Sequence, residues 1–165
     1  MRALLALAVI AGLATSALAD EDTNTRADKG TLGIGIILGE PTGVSVKLYL
    51  KDDQAIQGAA GFAFVGGGLH VHADYVFHPW ILQAKESFVL PFYFGPGVRV
   101  IDYRQGGGGA DYFAIGLRVV AGLLFDFKTV PLDAFVEVGG VGEYRFKGHG
   151  FAPALNAAAG VRYYF

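Results

Sequence analysis

One stretch constrains the chain more than any other. Across residues 113–127, Phe113, Ile115, Leu117, Val119, Ala121, Leu123, Phe125 and Phe127 alternate without a slip with Ala114, Gly116, Arg118, Val120, Gly122 and Asp126. Successive side chains of an extended strand point to opposite sides, so a period of two marks a strand with two unlike faces. The same period recurs from Thr31 to Phe165, and no helical period intervenes. Leu32, Ile34, Ile36 and Leu38 form the apolar face of a first strand. Val44, Val46, Leu48 and Leu50 form that of a second, opposite Ser45, Lys47 and Tyr49. A third sets Ile56, Gly58, Ala60, Phe62 and Phe64 against Gln57, Ala59, Gly61 and Ala63, and a fourth sets Leu69, Val71, Ala73, Tyr75 and Phe77 against His70, His72, Asp74 and Val76.

The fifth segment, "FVLPFYFGPGVRV", keeps Phe88, Leu90, Phe92, Phe94, Val98 and Val100 in register opposite Tyr93 and Arg99. Pro91 and Pro96 lack ladder donors, so bends, bulges or unpaired positions are expected there. The seventh carries Ala134, Val136, Val138, Gly140, Tyr144 and Phe146 against Asp133, Glu137, Glu143 and Arg145. The eighth carries Leu155, Ala157, Ala159, Val161, Tyr163 and Phe165 against Asn156, Gly160, Arg162 and Tyr164. Turn chemistry separates the strands at "GEPTG", "KDDQ", "VGGG", "RQGGGGAD", "KTVP" and "KGHG", with a longer connection at "HPWILQAKES". Eight strands on short turns predict an all-β fold, an antiparallel up-and-down meander.

The residues before this domain read differently. "MRALLALAVIAGLATSALAD" has one basic residue, a short apolar run and Ala17-Leu18-Ala19, the pattern of a secretory signal peptide over residues 1–19. Residues 20–30 are polar and form a flexible lead-in, leaving 31–165 as one domain. No cysteine is present, so disulfides and a thiol-linked lipid anchor are excluded. Of the 13 basic residues only Arg2 lies in the signal, which leaves 12 against 15 acidic ones, a net charge of −3. That balance, with no clustered basic surface, argues against a nucleic-acid partner.

Alternation alone does not say which face meets water. A soluble lipocalin-like barrel turns its apolar face inward, and a membrane barrel turns it outward. The chain is 53% hydrophobic and 17% charged, yet it has no long apolar run after the signal. The polar faces of the sixth and eighth strands are mostly Gly and Ala with one Arg each, which is poor cover against water and suits a crowded interior. The apolar faces last for the roughly 9–11 residues that a tilted strand needs to cross a bilayer. Lys47, Asp74, Arg99, Arg118, Glu137, Glu143, Arg145 and Arg162 all lie on the polar faces, and Asp102 departs from the rule near a rim. A transmembrane barrel is therefore expected. Its closure requires the first strand to pair with the last, because an unpaired edge in lipid costs several kcal/mol for each unsatisfied group. The ends and the connections "KDDQ", "HPWILQAKES" and "KTVP" are then periplasmic, and the other loops face outward from the cell.

Together with the signal peptide, the closing stretch "AAAGVRYYF" resembles the small eight-stranded outer-membrane barrels of Gram-negative bacteria, of the OmpA/OmpX type. The resemblance covers essentially all of the sequence after the signal peptide. It implies residence in the bacterial outer membrane, contact with its lipid, and recognition by the barrel assembly machinery through Val161, Tyr163 and Phe165. Short exterior loops and the lack of an added periplasmic domain depart from the best-known members. An unidentified extracellular ligand is the remaining partner left open.

His70, His72 and Asp74 share a face in "HVHAD", and imidazole with carboxylate suits zinc or copper. Same-face neighbours on a strand stand about 7 Å apart, so other strands would have to supply further ligands. The reading adopted is an interior polar network of Lys47, His70, His72, Asp74, Arg99, Arg118, Glu137, Glu143, Arg145 and Arg162, with no metal and no cofactor. In a barrel this narrow, paired charges form a plug of salt bridges rather than a conducting ring. After residue 19 the only serines are Ser45 and Ser87, neither in a lipid-hydrolase motif, so no catalysis is expected. Gly106 to Gly109 lack the Lys-Ser/Thr of a phosphate loop and form a mobile exterior loop. Tyr75, Trp80, Tyr112, Tyr144 and Tyr163 are placed in aromatic girdles. The expected function is structural or surface-interacting. The alternative is a narrow pore or small-ligand carrier, with a lipid-modifying enzyme third.

Overall fold

The structure, a computed structural model, describes residues 29–63, 67–104, 111–147 and 150–165. Eight antiparallel strands follow one another: β1 (Leu32–Gly39), β2 (Thr42–Lys51), β3 (Gln54–Phe62), β4 (Leu69–Ala84), β5 (Phe88–Tyr103), β6 (Tyr112–Phe127), β7 (Leu132–Arg145) and β8 (Gly150–Tyr164). Each pairs with its sequence neighbours, and β1 pairs with β8 from Gly33 opposite Tyr164 to Gly39 opposite Ala158, closing the sheet into a barrel. This is the all-β, up-and-down architecture that the alternation predicts. Among the described residues no helix is long and apolar enough to cross a membrane, which says nothing of strands. The signal peptide, nearly all of the lead-in and the four-glycine run at Gly106 to Gly109 lie outside the described residues.

The faces are sorted as expected. Ile36, Val44, Phe62, Leu117, Val119, Val138, Phe151 and Leu155 are more than half exposed on the outside, whereas Lys47, Arg99, Arg118, Arg162 and Glu143 are buried within. Away from the turns, the outward positions among the described residues carry a single charge, Asp102, paired with Arg104 near the end of β5.

Tight hairpins hold this register. Between β1 and β2 only Glu40 and Pro41 intervene, and Thr42 Oγ1 closes the turn on the backbone of Gly39 at 3.1 Å. Gly39 takes φ of 124°, a conformation that glycine adopts without a Cβ penalty. Asp52 and Asp53 alone join β2 to β3.

Two expectations need correction. The stretch around "HPWILQAKES" is not a long connection: β4 runs on through Ala84, and only Lys85, Glu86 and Ser87 join it to β5. Its ladder shifts between Phe77 and Trp80 and again between Ile81 and Gln83, so bulges absorb Pro79 where a break was expected. Beyond Phe77 this hairpin has no β3 partner. Trp80, Ile81 and Leu82 are all more than half exposed, and both faces are apolar, which is why the alternation fades there. The second correction concerns Tyr112. It shares the inward parity of Arg118, is 6% exposed, and stacks on Tyr103 inside the barrel, so it belongs to no outer girdle. Tyr75, Trp80, Tyr144 and Tyr163 do face outward. The β5 prolines behave as expected: pairing with β6 skips Leu90 and Pro91, and pairing with β4 skips Gly95 and Pro96, without loss of register across either gap.

Interior glycines make room for long polar side chains. A Cβ on Gly139 would stand 2.7 Å from Arg118 Nε, whereas one on Gly140, facing outward, would meet nothing within 4 Å. Gly139→Val should therefore lower folding stability by about 1–3 kcal/mol through overpacking, and Gly140→Val should leave it nearly unchanged. Urea midpoints of the two variants, measured under identical conditions, check the contrast.

Candidate functional site

The lumen holds three layers of polar groups, each tied to the strand whose parity turns it inward. At the mouth carrying the β1–β2, β3–β4, β5–β6 and β7–β8 connections, Glu143 on β7 is the hub. It binds Arg99 of β5, accepts from Tyr103 Oη at 3.0 Å and from Arg145 Nε at 2.6 Å. The Arg145 guanidinium lies over the rings of Tyr103 and Tyr112. On the other side of this layer, His70 Nδ1 stands 3.5 Å from Glu40 Oε1, and His70 Nε2 stands 3.3 Å from His72 Nδ1.

The central layer is built on Glu137. Its Oε1 accepts from Arg118 Nη2 at 2.7 Å, and its Oε2 accepts from Tyr93 Oη at 2.8 Å and Gln57 Nε2 at 3.0 Å. Arg118 Nη1 lies 3.4 Å from Asp74 Oδ2. His72 Nε2 faces both carboxylates, 3.8 Å from Asp74 and 3.9 Å from Glu137. At the opposite mouth, Arg162 Nε donates to Asp133 Oδ1 at 3.0 Å, Tyr164 Oη donates to Asp133 Oδ2 at 2.5 Å, and the guanidinium stacks over Phe135. Lys47 Nζ is 2.8 Å from His78 Nε2 and lies over the rings of Tyr49 and Tyr93. Lys29 closes this end by binding Asp126 and the carbonyls of Phe127 and Leu132.

All ten residues of the expected network face the lumen, with Arg145 the most open of them at a side-chain exposure of 27%. They do not form one cluster: Arg99, Glu143 and Arg145 share a layer, Asp74, Arg118 and Glu137 share the next, and Arg162 and Lys47 sit at the far end. Gln57, Tyr93, Tyr103, Asp133 and Tyr164 are further members. Their inward parity was the available signal, but an aromatic or amide on a polar face does not announce a charged partner on another strand. Ser45 also faces inward and is 3% exposed.

A cavity of about 720 Å³ opens at the Lys47 end, lined by Lys29, Asp52, Asp53, His78, Asp126 and Lys128 among others. No protein-family model, no curated protein and no solved structure matches the chain.

A buried ion pair is costly to break, because the partner left behind keeps its charge without compensation. Asp133→Asn, which strands Arg162, should cost about 3–5 kcal/mol. Asp102→Asn, at an exposed pair with Arg104, should cost less than about 1 kcal/mol. Chemical denaturation of both variants reads the difference.

Proposed function

We propose that the chain is an integral protein of the bacterial outer membrane: a closed eight-stranded barrel with a plugged interior, serving as a structural or surface-interaction component. One observation carries the reading, the inverted polarity of the barrel. Burying four guanidinium or ammonium groups and their carboxylates while exposing Leu117, Val138 and Leu155 is the reverse of what water selects. The apolar exterior is present on every strand, including Ile36 of β1, Val44 of β2, Ile56 of β3, Phe77 of β4, Val98 of β5, Leu117 of β6, Val138 of β7 and Leu155 of β8. A protein partner covers one sector of a cylinder. A surface apolar all the way round asks for a fluid, and lipid is the fluid that fits.

The salt-bridged layers favour a plug. Glu137 of β7 ties together Arg118 of β6, Tyr93 of β5 and Gln57 of β3, and Glu143 ties β7 to Arg99 of β5, so polar groups fill the lumen at two heights. A narrow pore or small-ligand carrier is the second reading, favoured by the cavity at the Lys47 mouth. On the seam, Val161 and Tyr163 of β8 and the adjoining Phe165 face outward, which suits their capture by an assembly machine that reads an exposed strand.

The test joins localisation to energetics. The protein should fractionate with the outer membrane and migrate differently on gels before and after boiling. Leu117→Arg, placed at mid-barrel, should lower the stability of vesicle-inserted protein by about 2–4 kcal/mol. A folded, soluble periplasmic monomer that tolerates Leu117→Arg would overturn the reading. Planar-bilayer recordings decide between plug and pore: discrete conductance steps from purified protein would favour the pore.

A further inference from the structure

The sequence leaves His72 and Asp74 short of a third metal ligand, and β7 supplies one from across the lumen. His72 Nε2, an Asp74 oxygen and a Glu137 oxygen lie within 4.8 Å of one another, and all three residues are buried. We propose that His72, Asp74 and Glu137 form a binding site for a divalent transition-metal ion of the zinc class, with a fourth position open. The inference does not rest on what surrounds the barrel, because the site is inside it.

Four features support it. Zinc bonds to imidazole nitrogen and carboxylate oxygen of about 2.0–2.2 Å place tetrahedral donors about 3.3 Å apart. The 3.8 Å and 3.9 Å separations from His72 Nε2 need only a small contraction to meet this. Lone pairs are also free in the right places. A carboxylate offers about four acceptor positions. Glu137 uses three of them, for Tyr93, Gln57 and Arg118, and retains one on Oε1, the oxygen that faces His72. Neither Asp74 oxygen accepts a hydrogen bond although the residue is 2% exposed, and the buried Oε1 of Gln57, directly opposite Asp74 in the β3–β4 register, has no donor either.

The third feature is the setting of His72. Metal-binding imidazoles nearly always engage their second nitrogen with another group, which fixes ring orientation. Here His72 Nδ1 contacts His70 Nε2, and His70 Nδ1 contacts Glu40 Oε1, leaving His72 Nε2 aimed at the carboxylates. The fourth is burial, since the side chains of His72, Asp74 and Glu137 are each 2% exposed or less and hold their donor atoms away from bulk water. Arg118 is compatible with a bound ion: its single positive charge faces two carboxylates, and its hydrogen bond to Glu137 is the outer contact that ligating carboxylates ordinarily receive. Nitrogen and oxygen donors without thiolate suit Zn²⁺ and its spectroscopic substitute Co²⁺.

Cobalt titration of the folded, purified full-length protein tests this. Wild type should bind one Co²⁺ per chain with visible d–d absorption that added Zn²⁺ abolishes. Asp74→Asn should lose that absorption while staying folded, since Arg118 keeps its hydrogen bond to Glu137 when the Asp74 carboxylate is neutralised. His70→Gln should weaken binding about 10–100-fold by releasing the His72 ring, and His78→Gln, at the other mouth, should change nothing. A folded wild type without the cobalt spectrum would overturn the proposal, as would an Asp74→Asn protein that keeps it.

Discussion

The pairing of β1 with β8 is the constraint on which the rest depends. Once Gly33 meets Tyr164 and Gly39 meets Ala158, every strand has two neighbours and the sheet has no edge. Closure at eight strands then dictates the rest of the chemistry. Half of the side chains must fit a lumen just wide enough to be filled, and the other half must face outward. A long apolar residue inside would serve as well for packing alone. The chain instead places arginines inside and makes space for them with glycines, as Gly139 does beside Arg118.

That choice shapes the energetics of the interior. A guanidinium in a lumen lined by other strands is tolerable only if its donors and charge are met, so each arginine reaches a carboxylate on another strand or in its own layer: Arg99 and Arg145 to Glu143, Arg118 to Glu137, Arg162 to Asp133. The tyrosines complete the layers. Tyr93, Tyr103 and Tyr164 each bring an aromatic body that fills volume and a hydroxyl that caps a carboxylate oxygen. The layers are stacked rather than merged, and His72 is the group that spans two of them, touching His70 in one and facing Asp74 and Glu137 in the next.

Much of this was legible in the sequence because strand parity is a local property. Leu117 and Arg118 declare opposite faces by adjacency alone, and eight such strands on short turns leave few topologies. Legibility failed where parity failed. Trp80, Ile81 and Leu82 are apolar on both faces of a hairpin that has outrun β3, so the β4 extension read as a loop. Tyr112 was misplaced for a different reason: its chemistry suggested a membrane interface while its position, six residues before Arg118, set it inside. Contacts across the lumen were beyond reach altogether. Parity says that Asp74 and Glu137 both point inward, but the height at which each meets the axis depends on tilt and stagger around the whole ring.

The buried charges also explain why the strands settle in one register. A slip of one residue in a two-faced strand exchanges its faces. For β6 such a slip would drive Arg118 into the outer face and Leu117 into the lumen, and for β7 it would expose Glu137 and bury Val136, stranding Gln57, Tyr93 and Arg118. With an all-apolar interior the same slip would exchange one hydrophobic face for another at little cost, particularly on strands as rich in Gly and Ala as β3 and β8. Ion pairs that contribute little net stability can still discriminate strongly between the native pairing and its nearest competitors, because the competitors leave charges uncompensated. On this argument the polar lumen is first a device for specifying the barrel, and whatever it binds makes use of groups already held in place for that purpose.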